Sequence, residues 1–101
     1  ERFLAAEIIR EKLTRRLGDE LPYALTVEIE RYEELPGITK IYAIIWIERL
    51  TQKNIVIGKE GEMLKKVGTD ARFDIEKLIG QKVYLQLWDN ERAMQSLGFN
   101  D

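Results

Sequence analysis

What most constrains this chain is that its hydrophobic period changes several times within 101 residues. Ala5, Ile9, Leu13 and Leu17 recur every four residues, flanked by Leu4 and Ile8, while Glu7, Arg10, Glu11, Lys12, Arg15 and Arg16 fill the other side. That spacing predicts an amphipathic helix ending at Gly18. Beyond Pro22 the period drops to two: Leu25, Val27 and Ile29 alternate with Thr26, Glu28 and Glu30, the pattern of a half-buried strand. After the turn in "ELPGIT", Ile41, Ala43, Ile45 and Ile47 alternate with Tyr42, Ile44, Trp46 and Glu48. This second strand is apolar on both faces, which predicts a central position.

From Glu62 the helical period returns. Leu64, Val67, Ala71, Ile75 and Leu78 form the expected buried stripe, with an end near Gly80. Val83, Leu85 and Leu87 then alternate with Lys82, Tyr84, Gln86 and Trp88 as a third strand, and "DNERAMQSLG" reads as a short closing helix capped by Asp89 or Asn90. The expected architecture is therefore one α+β domain over residues 1–101, a sheet with helices packed on one face. Only Lys53 to Ile57 resists assignment, because Ile55, Val56 and Ile57 favour a strand that would make its predecessor implausibly long.

Composition removes many chemistries. The chain has neither cysteine nor histidine, which excludes disulfides, thiolate or imidazole zinc sites, cysteine nucleophiles and histidine bases. Carboxylates are plentiful, but with no nucleophile or base beside them they predict no enzyme. Glu28, Glu30, Glu33 and Glu34 read as a solvated edge, where charge discourages unwanted pairing. Arg15 and Arg16 fit the last turn of a helix against its dipole, with RNA contact as the alternative. The longest strongly apolar run, Ile41 to Ile47, is far shorter than the roughly 20 residues a membrane helix needs. Glu1 opens a charged, helix-like stretch with no secretory signal, and the expectation is a piece of a longer protein.

The formal net charge is −2, unevenly distributed. Residues 1 to 18 carry +2, 19 to 48 carry −5, 49 to 66 carry +3 and 67 to 101 carry −2. The most positive block contains "NIVIGKEGEMLKKVG", in which Gly58 and Gly61 enclose Lys59 and Glu60. Neither the P-loop nor the dinucleotide fingerprint fits this spacing. G-x-x-G between apolar residues and a helix start does match the loop with which KH modules clamp about four backbone nucleotides. Glycine lets a sugar-phosphate backbone approach main-chain N–H groups and the start of the following helix. In this reading Lys59 meets a phosphate, Lys53, Lys65 and Lys66 raise the local potential, and Ile55 and Ile57 floor a groove for unpaired bases. Tyr42, Trp46, Tyr84 and Trp88 would share the opposite sheet face, either covered, or docking a partner, or stacking bases. A structural or protein-docking domain, with G-x-x-G only a tight helix-helix turn, is the alternative function.

The element order and the segments "RFLAAEIIREKL", "QKNIVIGKEGEMLKKVGTDAR" and "ERAMQSLG" resemble the C-terminal type II KH domains of the Era family of bacterial GTPases, over nearly the whole chain. The resemblance implies a three-stranded mixed sheet and a short helix at Lys53 to Ile57, against local propensity. It implies single-stranded RNA near the 3′ end of small-subunit ribosomal RNA as partner, in the 30S subunit during ribosome assembly, in the cytoplasm. It further implies a GTP-binding N-terminal domain outside this chain and weak membrane association of the full-length protein. No catalytic residue and no cofactor are carried over. The clamp falls on Gly58, Lys59, Glu60 and Gly61, with walls from Ile55, Ile57, Met63 and the second strand. The chain departs from the family in two places. Glu60 puts a carboxylate where lysine-glycine or lysine-asparagine is usual, and a valine- and lysine-rich stretch is missing after Trp88, so a loop absent between Trp88 and Asp89 is expected.

Overall fold

The computed structural model describes residues 1–22 and 24–91. Among the described residues three α-helices and three strands follow one another as α1 (Arg2–Leu17), β1 (Thr26–Leu35), β2 (Ile38–Trp46), α2 (Leu50–Ile57), α3 (Glu62–Ile79) and β3 (Lys82–Asp89). The sheet order is β1-β2-β3. β1 and β2 form an antiparallel hairpin closed by Pro36 and Gly37, whereas β2 and β3 run parallel because two helices intervene. The sheet is thus mixed, with the doubly apolar strand at its centre as expected.

Helices cover one face. Ala5, Ile9, Leu13 and Leu17 of α1 and Leu64, Val67, Ala71 and Ile75 of α3 meet Ile29, Ile41, Ala43, Ile45, Val83 and Leu87 in one core. Leu78, expected on the α3 stripe, is instead 47% exposed. After Ile75 both Leu78 and Ile79 lie at the margins of a 3.6-residue stripe, and the core takes Ile79.

α1 is fixed from both sides. Arg2 donates to the carbonyl of Ile29 at 2.9 Å and Arg10 to that of Leu25 at 2.6 Å. The first contact falls where β1 bulges, since the register jumps between Ile29 and Arg31, and a bulge leaves a backbone group for a side chain to satisfy. Toward α3, Arg16 holds both carboxylate oxygens of Asp70, and the buried Lys12 ammonium sits between Glu11 and Asp74. Arg15 pairs with Glu11 on its own helix. The arginines at the end of α1 therefore act within the fold.

At the other end of α3, Glu76 accepts from the Val83 N–H and from Arg72, setting the turn into β3. β3 runs unbroken through Trp88 to Asp89. Of the expected closing helix, Asp89 instead ends β3, the Asn90 side chain accepts from the Ile47 N–H, and the part from residue 92 onward lies outside the described residues. No described helix is long and apolar enough to cross a membrane.

Candidate nucleic-acid interface

α2 is a helix despite its β-branched run, and one side chain explains why. Val56 is completely buried in the core, and removing it from water contributes more than the few tenths of a kcal/mol by which valine disfavours a helix. The helix starts at Leu50, three residues earlier than the segment named from sequence. With Val56 turned inward, Ile55 is exposed and Ile57 half-buried.

The backbone then reverses through the glycines. Gly58 has φ 77 and ψ 176, a region only glycine enters readily. A Cβ there would lie 2.8 Å from Cβ of Met63 and 2.9 Å from its backbone nitrogen. This glycine is required twice over, by conformation and by space. Glu60 (φ 56) and Gly61 (φ 75) follow in the left-handed region, and nothing stands within 4 Å of a Cβ built on Gly61. Hence Gly61 answers to conformation and open access rather than to packing.

Within this turn the N–H groups of Gly58, Gly61 and Glu62 donate to Asn54, Gly58 and Lys59 carbonyls. Those of Lys59 and Glu60 are left over among the described residues, beside the N-terminal end of the 18-residue α3. Two free amides and a helix N-terminus, each favourable to an anion, thus lie together at a corner beside the carboxylates of Glu60 and Glu62.

The corner opens onto a groove of about 920 Å³ that runs between α3 and the outer edge of β3. Ile57, Glu60, Gly61, Leu64, Lys65, Gly68, Thr69 and Arg72 line it on the loop and α3 side, and Leu85, Gln86, Leu87, Asp89 and Glu91 on the other. Its strand wall is β3. The wall assigned from sequence was the second strand, which contributes none of the groove's lining residues. Thr69 and Arg72 of α3 and Gln86 of β3 also line it, and spacing along the chain does not tell which helix face and which strand will flank a groove.

The expected site residues divide accordingly. Ile57, Gly58, Lys59, Glu60, Gly61, Met63 and Lys65 gather at the loop and groove mouth. Lys59 and Lys65 are exposed and carry no ion pair among the described residues. Lys66 is exposed but bridges to Glu62 at 3.2 Å. Lys53 is buried, with its ammonium 3.1 Å from Glu91, so its charge is already answered. Ile55 is exposed on α2. No cluster of histidine, cysteine or carboxylates that could hold a metal occurs among the described residues.

Comparison with known proteins points the same way. A family described as the KH domain matches residues 20–95. Proteins named GTPase Era are similar over the full chain: 51% identical in Coxiella burnetii strain Dugway, and 50% in Vibrio cholerae. The chain spans about a third of those relatives, 37% and 34% of their lengths. The Coxiella pairing extends over 109 residues, so that relative carries residues with no counterpart here. Two solved structures, one of Aquifex aeolicus Era bound to GDP and aluminium fluoride, superpose at TM-score 0.81 with 38% identity, covering 87% of this chain and 30% of theirs. The other is Era in complex with MgGDPNP and nucleotides 1506–1542 of 16S ribosomal RNA.

Proposed function

This chain belongs to the KH domain family, and from that premise we propose that it binds single-stranded RNA on the Gly58–Gly61 loop. KH domains are RNA-binding modules that carry no catalytic centre of their own. The 3′ region of small-subunit ribosomal RNA is the target, during assembly of the 30S subunit in the cytoplasm. Support for the target comes from the Era complex with that segment of 16S RNA. GTP binding and hydrolysis belong to the part of the longer relatives that this chain does not span.

One observation carries the reading. Gly58 packs its bare Cα against Met63, and the reversal this permits leaves the Lys59 and Glu60 N–H groups without an acceptor among the described residues, in a loop whose Glu60 and Gly61 line a groove. Phosphates settle on those amides and on the Lys59 ammonium. Bases lie along the apolar floor formed by Ile57, Leu64 and Leu87, where stacking and exclusion of water favour them while their edges stay free to hydrogen bond. Glu60 opposes this, since a carboxylate near a phosphate repels it; its left-handed backbone lets the side chain turn outward.

The test replaces the loop's side chains without disturbing its backbone. Lys59→Asp with Glu60→Asp is expected to weaken binding of a short pyrimidine-containing single strand at least tenfold, while thermal unfolding moves by no more than a few degrees. Aspartate tolerates the left-handed position 60. If RNA affinity survives this double change, the loop is not the clamp.

A further inference from the structure

The sheet face away from the helices carries a cluster of aromatic residues among charged ones. Register places Glu28, Ile44 and Trp88 in one row, Arg31, Tyr42 and Gln86 in the next, then Glu33, Lys40 and Tyr84. Tyr42 packs against Tyr84 and Trp88 with centroids 5.9 and 6.2 Å away. Tyr84 is 44% exposed and Trp46 40%, the latter tied down by an indole N–H to Glu28 bond of 2.7 Å.

Two features give this face an occupant. First, it is continuous with the groove. Gln86 and its neighbours on the edge strand line the groove, yet the Gln86 side chain lies on the aromatic face, accepting a hydrogen bond from the Tyr84 hydroxyl at 3.0 Å. A strand leaving the groove over β3 meets Tyr84 next. Second, the charges suit a polyanion. Glu28 is engaged by Trp46 and Glu33 by Arg31, whereas Lys40 and Lys82, which flank Tyr84, have no ion pair among the described residues.

We infer that an RNA strand seated in the groove continues around the β3 edge, stacking an unpaired base on Tyr84 and placing phosphates beside Lys40 and Lys82. This rests on the groove reading above and extends it, making the footprint longer than the roughly four nucleotides a KH loop holds. Base-aromatic stacking tolerates any base, because every base has a π-face. The second surface therefore adds affinity and length dependence with little sequence preference.

The experiment compares two RNAs on the 101-residue chain: a pyrimidine tetranucleotide, and the same tetranucleotide extended by three unpaired nucleotides at each end. Tyr84→Ala is expected to weaken the longer RNA five- to a hundredfold and to leave the tetranucleotide within twofold. Tyr84 is an exposed edge residue, so the fold should stand, and circular dichroism checks it. Lys40→Gln with Lys82→Gln supplies a second arm that does not touch the ring, expected to reduce the salt dependence of the longer RNA alone. Equal affinity of the two RNAs for the unaltered chain, or no effect of either variant on the longer one, overturns the extension and leaves the aromatic face to a protein partner. The Lys59→Asp, Glu60→Asp chain separates the two ideas: if it loses the tetranucleotide while Tyr84→Ala changes nothing, only the extension fails. If it keeps the tetranucleotide, the groove reading fails and the extension falls with it.

Discussion

The two loop glycines look alike in sequence and differ in physics. An alanine at position 58 meets both a dihedral region reserved for glycine and a backbone atom of Met63 at 2.9 Å that cannot step aside. The expected cost of Gly58→Ala is about 2–4 kcal/mol. Gly61→Ala meets no neighbour within 4 Å and pays only for left-handed backbone, about 1 kcal/mol. Urea unfolding of the two variants checks the order, and equal losses would mean that the close approach to Met63 is not maintained in solution. Sequence marked both glycines but could not rank them, because the neighbour that makes the first irreplaceable is set by how α2 and α3 cross.

At the scale of elements, the helices and strands with clean periodicity were legible, and what escaped was decided by tertiary context. α2 was reached through family resemblance while its own residues argued for a strand, since the burial of Val56 is invisible in a five-residue window. The bulge in β1 and the identity of the groove wall were equally hidden, both being properties of pairing. The α1–α3 contact yields a prediction of its own. Arg16 holds the Asp70 carboxyl below its ordinary range by a direct hydrogen bond, and Lys12 does the same for Asp74, both against the opposing effect of burial. A carboxylate with a lowered folded pKa contributes stability that is present above its unfolded pKa, about 3.9, and disappears as pH falls through the folded value. Stability is therefore expected to fall from about pH 5 downward and to keep falling below pH 4. Because these groups stand near solvent, the loss is modest. Asp70→Asn with Asp74→Asn should flatten this limb in urea midpoints taken at pH 7, 4 and 3, and an unaltered slope would assign acid sensitivity to other carboxylates. Lys12, raised by Asp74, predicts the mirror effect only above its ordinary value of 10.5.

The whole molecule is a slightly acidic protein with one basic corner, and this sets how its binding must respond to salt. A protein that gathers RNA by bulk charge neutralises many phosphates and shows a steep slope; a net charge of −2 supplies no such field. Around the loop, moreover, Lys53 and Lys66 are already matched by Glu91 and Glu62, which leaves Lys59 and Lys65 as the cations able to release counterions from a short strand. Each phosphate neutralised on a single strand contributes about −0.7 to the log-log slope, so a tetranucleotide should show a slope near −1.4. Lys59→Ala should halve it, to about −0.7, and Lys66→Ala should leave it nearly unchanged because that ammonium is already paired with Glu62 and neutralises no phosphate. Duplex RNA, unable to lay bases in the groove, should bind far more weakly at the same ionic strength. Fluorescence anisotropy between 50 and 300 mM salt measures these slopes. A slope of about −2.1, the value for all three internucleotide phosphates of a tetranucleotide, would mean that more phosphates are neutralised than the two free cations of this corner account for, and would move the binding surface elsewhere on the chain.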